Sequence, residues 1–196
     1  THRRSSAASD VYKRQEHELI GKSLDDAAGE VFDKVARTLG LGYPGGPEIS
    51  KAASLANKSS FKFPRPMLKS ENYNFSFSGL KTSVINTIKQ RDLNDRLISD
   101  IAYDFENSII DVLITKTFKA AKNYQIKNIV VSGGVSANKK LRTRFLSEGK
   151  GNNIYFPDLE FSTDNGAMIA FLGYLKSKKY ISSNLEINPH TISDFF

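Results

Sequence analysis

Two stretches of this chain run from a short apolar strand through a small-residue loop into a helix, and that doubled pattern leaves few folds open. In "NIVVSGGVSANKKLRTRFL", Ile129 to Ser132 reads as a strand, Gly133 and Gly134 as a loop, and Asn138 to about Leu146 as a helix. In "NIYFPDLEFSTDNGAMIAFL", Ile154 to Phe156 reads as a strand, "STDN" as a loop, and Gly166 to about Lys176 as a helix. Short apolar strands that each feed a helix imply an α/β fold whose parallel sheet is covered on both faces, with sites at the strand ends where the loops gather.

The preceding residues fit the same class. Ser23, with Asp26 three residues on, resembles a capping box, and Leu24, Ala28, Val31, Val35 and Leu39 recur at helical spacing up to Gly40. "GYPGGPEIS" reads as a turn before a short helix from about Glu48 to Ala56. Phe75 and Phe77 alternate as in a strand, and Leu80, Val84, Ile85 and Ile88 mark a helix after Ser78 and Gly79. The longest element spans roughly 95–123, with Ile98, Ala102, Phe105, Ile109 and Val112 on one stripe, and is expected to be a core helix covering a sheet.

No run of about 18 apolar residues is present to cross a membrane. With no cysteine there is no thiolate chemistry and no disulfide, which suits a reducing compartment. The net charge of +7 hints at a polyanionic partner. Part of that charge lies in residues 1–15, where Arg3, Arg4, Lys13 and Arg14 stand against Asp10. This stretch has no apolar periodicity and reads as a disordered or non-native extension, with an organelle transit peptide as the alternative. Residues 16–180 read as the α/β region and 181–196 as a tail.

Three constellations carry candidate chemistry. Gly133 and Gly134 bring backbone N–H groups and a helix start to one point without β-carbons in the way, which suits a phosphate or a nucleotide and equally a plain tight turn. In "STDNGAMIA", Thr163 or Asp164 caps the following helix, or Asp164 offers a hard oxygen ligand to a divalent metal. His2, His17 and His190 show no helical pair spacing to complete such a site. In "DDAAGEVFDK", Asp26, Glu30, Asp33 and Arg37 fall on one helical row, as a solvated face with i,i+4 charge pairs would. Lys81 reads as a surface lysine or a contact for phosphate, and Lys139, Lys140, Arg142 and Arg144 as a solvated helix face or a basic edge.

Taken in order, "SLDDAAGEVFDKVARTLGLGYPGGPEI", "FSFSGLKT", "VVSGGVSAN" and "STDNGAMIA" resemble the signature blocks of the TsaD family, the tRNA N6-adenosine threonylcarbamoyltransferases once labelled O-sialoglycoprotein endopeptidases. The resemblance covers roughly residues 17–180. It implies an actin/sugar-kinase/Hsp70-like ATPase (ribonuclease H-like) fold, mainly its C-terminal lobe. It implies transfer of threonylcarbamoyl from threonylcarbamoyl-AMP to N6 of the adenosine 3′-adjacent to the anticodon, in tRNAs reading codons that begin with A. By position within the motifs, Asp33, Gly46 and Asn138 match family residues that contact the adenylate, with Gly133 and Gly134 in the loop that holds it, and Asp164 matches a carboxylate ligand of a divalent ion, Fe2+ first. The family further implies a paralogous scaffold subunit, a small ATPase subunit, an enzyme that makes the adenylate, and a cytoplasmic or mitochondrial setting.

The chain departs from the family in lacking an HxxxH pair and a Ser-Gly-Gly-His loop, which belong to an N-terminal lobe. It therefore reads as a C-terminal fragment, inactive by itself. The alternatives are a metalloprotease, opposed by the missing HExxH, a small-molecule kinase of the same fold, and a non-catalytic nucleotide-binding partner.

Overall fold

The structure is a computed structural model, and it describes residues 18–56, 59–89, 91–163 and 165–177. The described elements are α1 (Ala28–Thr38), α2 (Gly45–Ala53), α3 (Ser78–Lys89), α4 (Asp95–Asn123), β1 (Asn128–Val130), a 3-10 turn (Gly134–Ala137), α5 (Lys139–Glu148), β2 (Asn153–Tyr155), a second 3-10 turn (Leu159–Phe161) and α6 (Gly166–Ser177). The class is α/β, mostly helical with a small parallel sheet. The chain divides into a unit of residues Gly21–Thr163 and a second unit whose described residues are 18–20 and 165–177.

In the larger unit the apolar stripes close on one another. Val31, Phe32, Val35 and Ala36 of α1 pack with Ile49 of α2, Leu80 and Val84 of α3, and Ile101, Phe105 and Ile109 of α4. Phe32 meets Phe105 edge to face at 5.3 Å, a geometry that adds about 1 kcal/mol to the burial of two rings. The opposite side of α4 turns Ile110 and Ile114 toward Leu141 and Phe145 of α5, with Ile154 and Phe156 alongside. One long helix thus separates a helical core from the sheet side.

The sheet itself pairs β1 and β2 in parallel, with Ile129 opposite Ile154. Among the described residues its expected cover on both faces is not found. Ile129 is buried, but Val130 is 71% and Tyr155 52% exposed, so these residues leave one face open to solvent. Phe75 and Phe77 do not form a strand either. Phe75 makes a single parallel bridge to Ser23, and the two rings stack at 6.2 Å on the core instead.

Two helix starts also differ from the sequence reading, each because a remote carboxylate intervenes. The first helix begins at Ala28 rather than near Ser23, since Asp25 reaches away to accept the Phe77 and Ser78 N–H groups at the start of α3. The second begins at Gly45 rather than Glu48, which makes the glycines and Pro47 its first turn, where a proline's missing N–H costs nothing.

α4 is a core helix as expected, yet Asp104, Glu106 and Lys116 are also buried along it. Asp104 accepts the Ser60 and Phe61 N–H groups at 2.8 and 2.7 Å. Lys116, 1% exposed, donates to Met67 O, Ser70 Oγ and Asn72 O. Burial and the neighbouring Lys119 charge push its pKa down. Both groups fasten irregular chain to the helix by filling backbone hydrogen bonds that no strand supplies.

In the second unit, Asn165 Oδ1 accepts the Met168 N–H at 2.9 Å and so caps α6, whose Met168, Ile169, Phe171 and Tyr174 are exposed. No described helix is long and apolar enough to cross a membrane.

Candidate nucleotide site

The motif blocks meet at α2. Asp33, half-buried on α1, accepts the Gly45 N–H through Oδ1 at 2.7 Å, so its carboxylate stands at the positive start of α2. Gly45 makes that approach possible. A β-carbon there would lie 2.6 Å from Asp33 Cα and 2.7 Å from the Phe32 carbonyl oxygen. At Gly46, one residue on, a β-carbon would stand in open space.

The glycine loop arrives from the other side. Gly133 sits at φ +85°, a conformation only glycine adopts cheaply, and Gly134 begins the 3-10 turn that delivers Asn138 to the start of α5. Asn138 Oδ1 accepts the Leu141 N–H at 2.8 Å and caps that helix. Its Nδ2 donates to Ser50 Oγ on α2 at 2.9 Å and to Glu106 Oε1 on α4 at 2.8 Å. Ser50 Oγ also donates to Glu106 Oε1, at 2.6 Å. Glu106 is 3% exposed and keeps one cationic neighbour, Lys140 Nζ at 3.5 Å, which also lies over the Tyr103 ring at 4.0 Å. Three helices are tied together by one carboxylate and one amide.

Further contacts close the arrangement. A β-carbon at Gly29 of α1 would meet Val135 Cγ2 at 3.6 Å, and one at Gly134 would meet Thr163 Cγ2 at 3.9 Å. Arg142 donates to Ser136 O at 2.6 Å, Pro157 O at 2.8 Å and Ser162 Oγ at 3.2 Å, pinning the two loops that follow β1 and β2. Ser136 Oγ is buried in the first of these loops without a hydrogen-bond partner among the described residues.

Gly46, Gly133, Gly134, Asp33 and Asn138 therefore lie on one connected framework of helix starts and a glycine turn. Asp164 lies outside the described residues. Among those residues no group of three His, Cys, Asp or Glu side chains could hold a metal ion.

The charged row on α1 is not a ladder of i,i+4 pairs. Asp33 turns to Gly45, Glu30 Oε2 accepts the Ala27 N–H, and Asp26 pairs with both Lys34 and Lys81. Hydrogen bonds from these two lysines hold the Asp26 carboxyl below its usual range. Asp25 is also depressed: burial pushes its carboxyl up, but bonds from Phe77, Ser76 and Ser78 outweigh this and bring it to about 2. The basic run on α5 is engaged inward as well, with Arg144 on Asp111 and Glu148. Glu106, Ser50 and Asp25 were missed by sequence reasoning. For Glu106 a signal existed, since it falls within the apolar stripe formed by Ala102, Phe105 and Ile109.

A family description, TsaD, tRNA N6-adenosine threonylcarbamoyltransferase, matches residues 5–171. The tRNA N6-adenosine threonylcarbamoyltransferase of Thermosipho africanus is 52% identical over 184 residues, which is 92% of this chain and 56% of the relative. That of Ralstonia pickettii is 49% identical over 186 residues, 91% of this chain and 51% of the relative. This chain thus spans about half the length of the curated relatives it matches. Among solved structures, the crystal structure of T.kodakarensis HypF superposes with a TM-score of 0.56 at 22% identity, over 78% of this chain and 20% of that one, a likeness of fold alone. By sequence and by the motifs it assembles, the chain belongs to the TsaD family.

Proposed function

We propose that this chain forms the adenylate-holding part of a tRNA threonylcarbamoyltransferase, as the C-terminal lobe of an actin/sugar-kinase/Hsp70-like ATPase fold. The observation that most supports this reading is the bridge from Asn138 to Ser50 and Glu106, which joins the glycine loop to the helix that opens at Gly45 and Gly46.

The reaction needs little covalent work from the protein. N6 of the adenosine beside the anticodon attacks the carbamoyl carbon of threonylcarbamoyl-AMP and a C–N bond forms. The C–O bond to AMP breaks, the phosphate takes the electron pair, and the N6 proton passes to solvent. Negative charge grows on oxygen during this exchange, and N–H donors fixed in advance stabilise it. The N–H groups of Gly46 and of the Gly133–Gly134 loop are the donors this chain supplies. Asp33 holds the first turn of α2 in place, and Arg142 holds both loops.

A divalent ion, Fe2+ first, would add Lewis-acid stabilisation when bound. Asp164 is this chain's ligand in that reading, with the histidine ligands outside the chain, so the chain alone is inactive. tRNA, the adenylate, a scaffold subunit and a small ATPase are the proposed partners, in the cytoplasm or in mitochondria.

One observation favours a second reading. Asp33 directs its carboxylate into an internal hydrogen bond with Gly45 N–H, as a non-catalytic partner subunit would have it do. Calorimetric titration of the folded chain with AMP tests the adenylate site itself: binding that Gly46→Ala weakens supports it, and no binding by folded chain removes it. Adenylate binding without any transfer by a restored full-length protein favours the non-catalytic partner.

A further inference from the structure

Of the basic residues that follow the glycine loop, Lys140, Arg142 and Arg144 are all engaged inside the fold. A different set of cations faces outward. Lys122, Lys127 and Lys150 rim a shallow depression of about 490 Å³ where the end of α4, the turn after it and the end of α5 meet. All three are exposed, and none forms an ion pair with a described residue. The one carboxylate in the depression, Glu148, is held by Arg144 Nε at 2.5 Å, so it does not offset them. Phe118 and Ile126 are its apolar lining.

The turn adds a second observation. α4 closes with Ile126 N–H on Ala121 O, an ending whose left-handed position glycine usually fills. Here Gln125 occupies it at φ +55°, where a side chain costs about 1 kcal/mol, and that side chain lines the depression as a further polar group.

We propose that this lysine-rimmed depression docks the phosphate backbone of RNA. Lysine is depleted at protein–protein interfaces, whereas it serves readily as a contact for phosphate oxygens. The choice of RNA over another polyanion rests on the reading of tRNA as substrate.

The test is binding of an unmodified tRNA transcript to the full chain, read by fluorescence anisotropy across a salt series. The triple variant Lys122→Gln, Lys127→Gln, Lys150→Gln is compared with wild type and with a control triple, Lys62→Gln, Lys69→Gln, Lys89→Gln, which removes equal charge elsewhere. The expected result is a slope of log K against log salt that is smaller by roughly 2 in the first triple, with affinity about tenfold lower, and little change in the control. Circular dichroism melting checks that both triples fold. Equal losses in the two triples, an unchanged first triple, or no tRNA binding at all would overturn the proposal. So would a first triple that keeps tRNA but loses polyglutamate, since that assigns the surface to an acidic protein. Lysine-dependent RNA binding without any threonylcarbamoyl transfer by a restored full-length protein would sink the transferase reading and leave the docking site standing.

Discussion

Asn138 Nδ2 donates to the buried Glu106 Oε1 at 2.8 Å and to Ser50 Oγ at 2.9 Å, so both of its amide protons are already engaged inside the fold. Its Oδ1 accepts from Leu141 N–H and retains one lone pair. In the proposed adenylate site the residue would therefore act chiefly by placing the loop ahead of it. Asn138→Ala removes a helix cap and leaves buried acceptors short of a donor, and is expected to destabilise the chain by about 2–4 kcal/mol in urea unfolding. A loss below about 1 kcal/mol would show the bridge to be incidental.

Asp33 makes a related prediction. Its carboxylate completes the first turn of α2 through Gly45 N–H. Asp33→Ala should lower stability by about 1–2 kcal/mol in the same measurement without any nucleotide present. A variant as stable as wild type would mean that the carboxylate is there for a ligand alone.

The adjacent glycines separate folding from binding. Gly45→Ala forces a β-carbon against Asp33 Cα and the Phe32 carbonyl, backbone atoms that cannot move aside, and should cost about 1–3 kcal/mol or more. Gly46→Ala places its methyl in open space and should leave the melting temperature nearly unchanged. If a phosphate approaches Gly46, that same methyl should weaken AMP binding roughly tenfold, or about 1.4 kcal/mol. Equal AMP affinity in wild type and Gly46→Ala would remove Gly46 from the site.

Much of this framework was legible because its parts are local. The strand-loop-helix units, the bounds of α4 and the start of α5 near Asn138 all follow from period and end signals within a few residues of one another. What escaped depends on partners far along the chain. Asp25 reaches 52 residues ahead to Phe77 N–H, and Asp33 reaches forward to Gly45, so each helix began later or earlier than its own sequence suggested. Arg142 looked like a solvated cation, and only the fold brings Ser136 O and Pro157 O within its reach. The open face of the sheet likewise reflects how many strands the described chain assembles, which the apolar run around Ile129 does not record.

Asp25 should also shape the acid response. Its folded pKa of about 2 lies below its ordinary 3.8, so it stabilises the fold above pH 4, and this contribution fades as pH falls from about 4 to about 2. Asp25→Asn is expected to lose about 0.5–2 kcal/mol at pH 7 and to unfold less steeply with acid in that window. Parallel stability curves for variant and wild type between pH 4 and pH 2 would contradict the assignment.

The most direct measurement joins this chain to the N-terminal portion of a Thermosipho africanus relative and follows threonylcarbamoyl transfer to unmodified tRNA. Threonylcarbamoyl-AMP and the family's partner subunits are supplied, and the joined protein is compared with its Gly46→Ala and Asp164→Ala forms. Transfer by the joined protein is expected, at least tenfold slower with Gly46→Ala at limiting adenylate and abolished with Asp164→Ala. A joined protein that folds and binds the adenylate yet modifies no tRNA would contradict it, and would make this chain a binding partner instead.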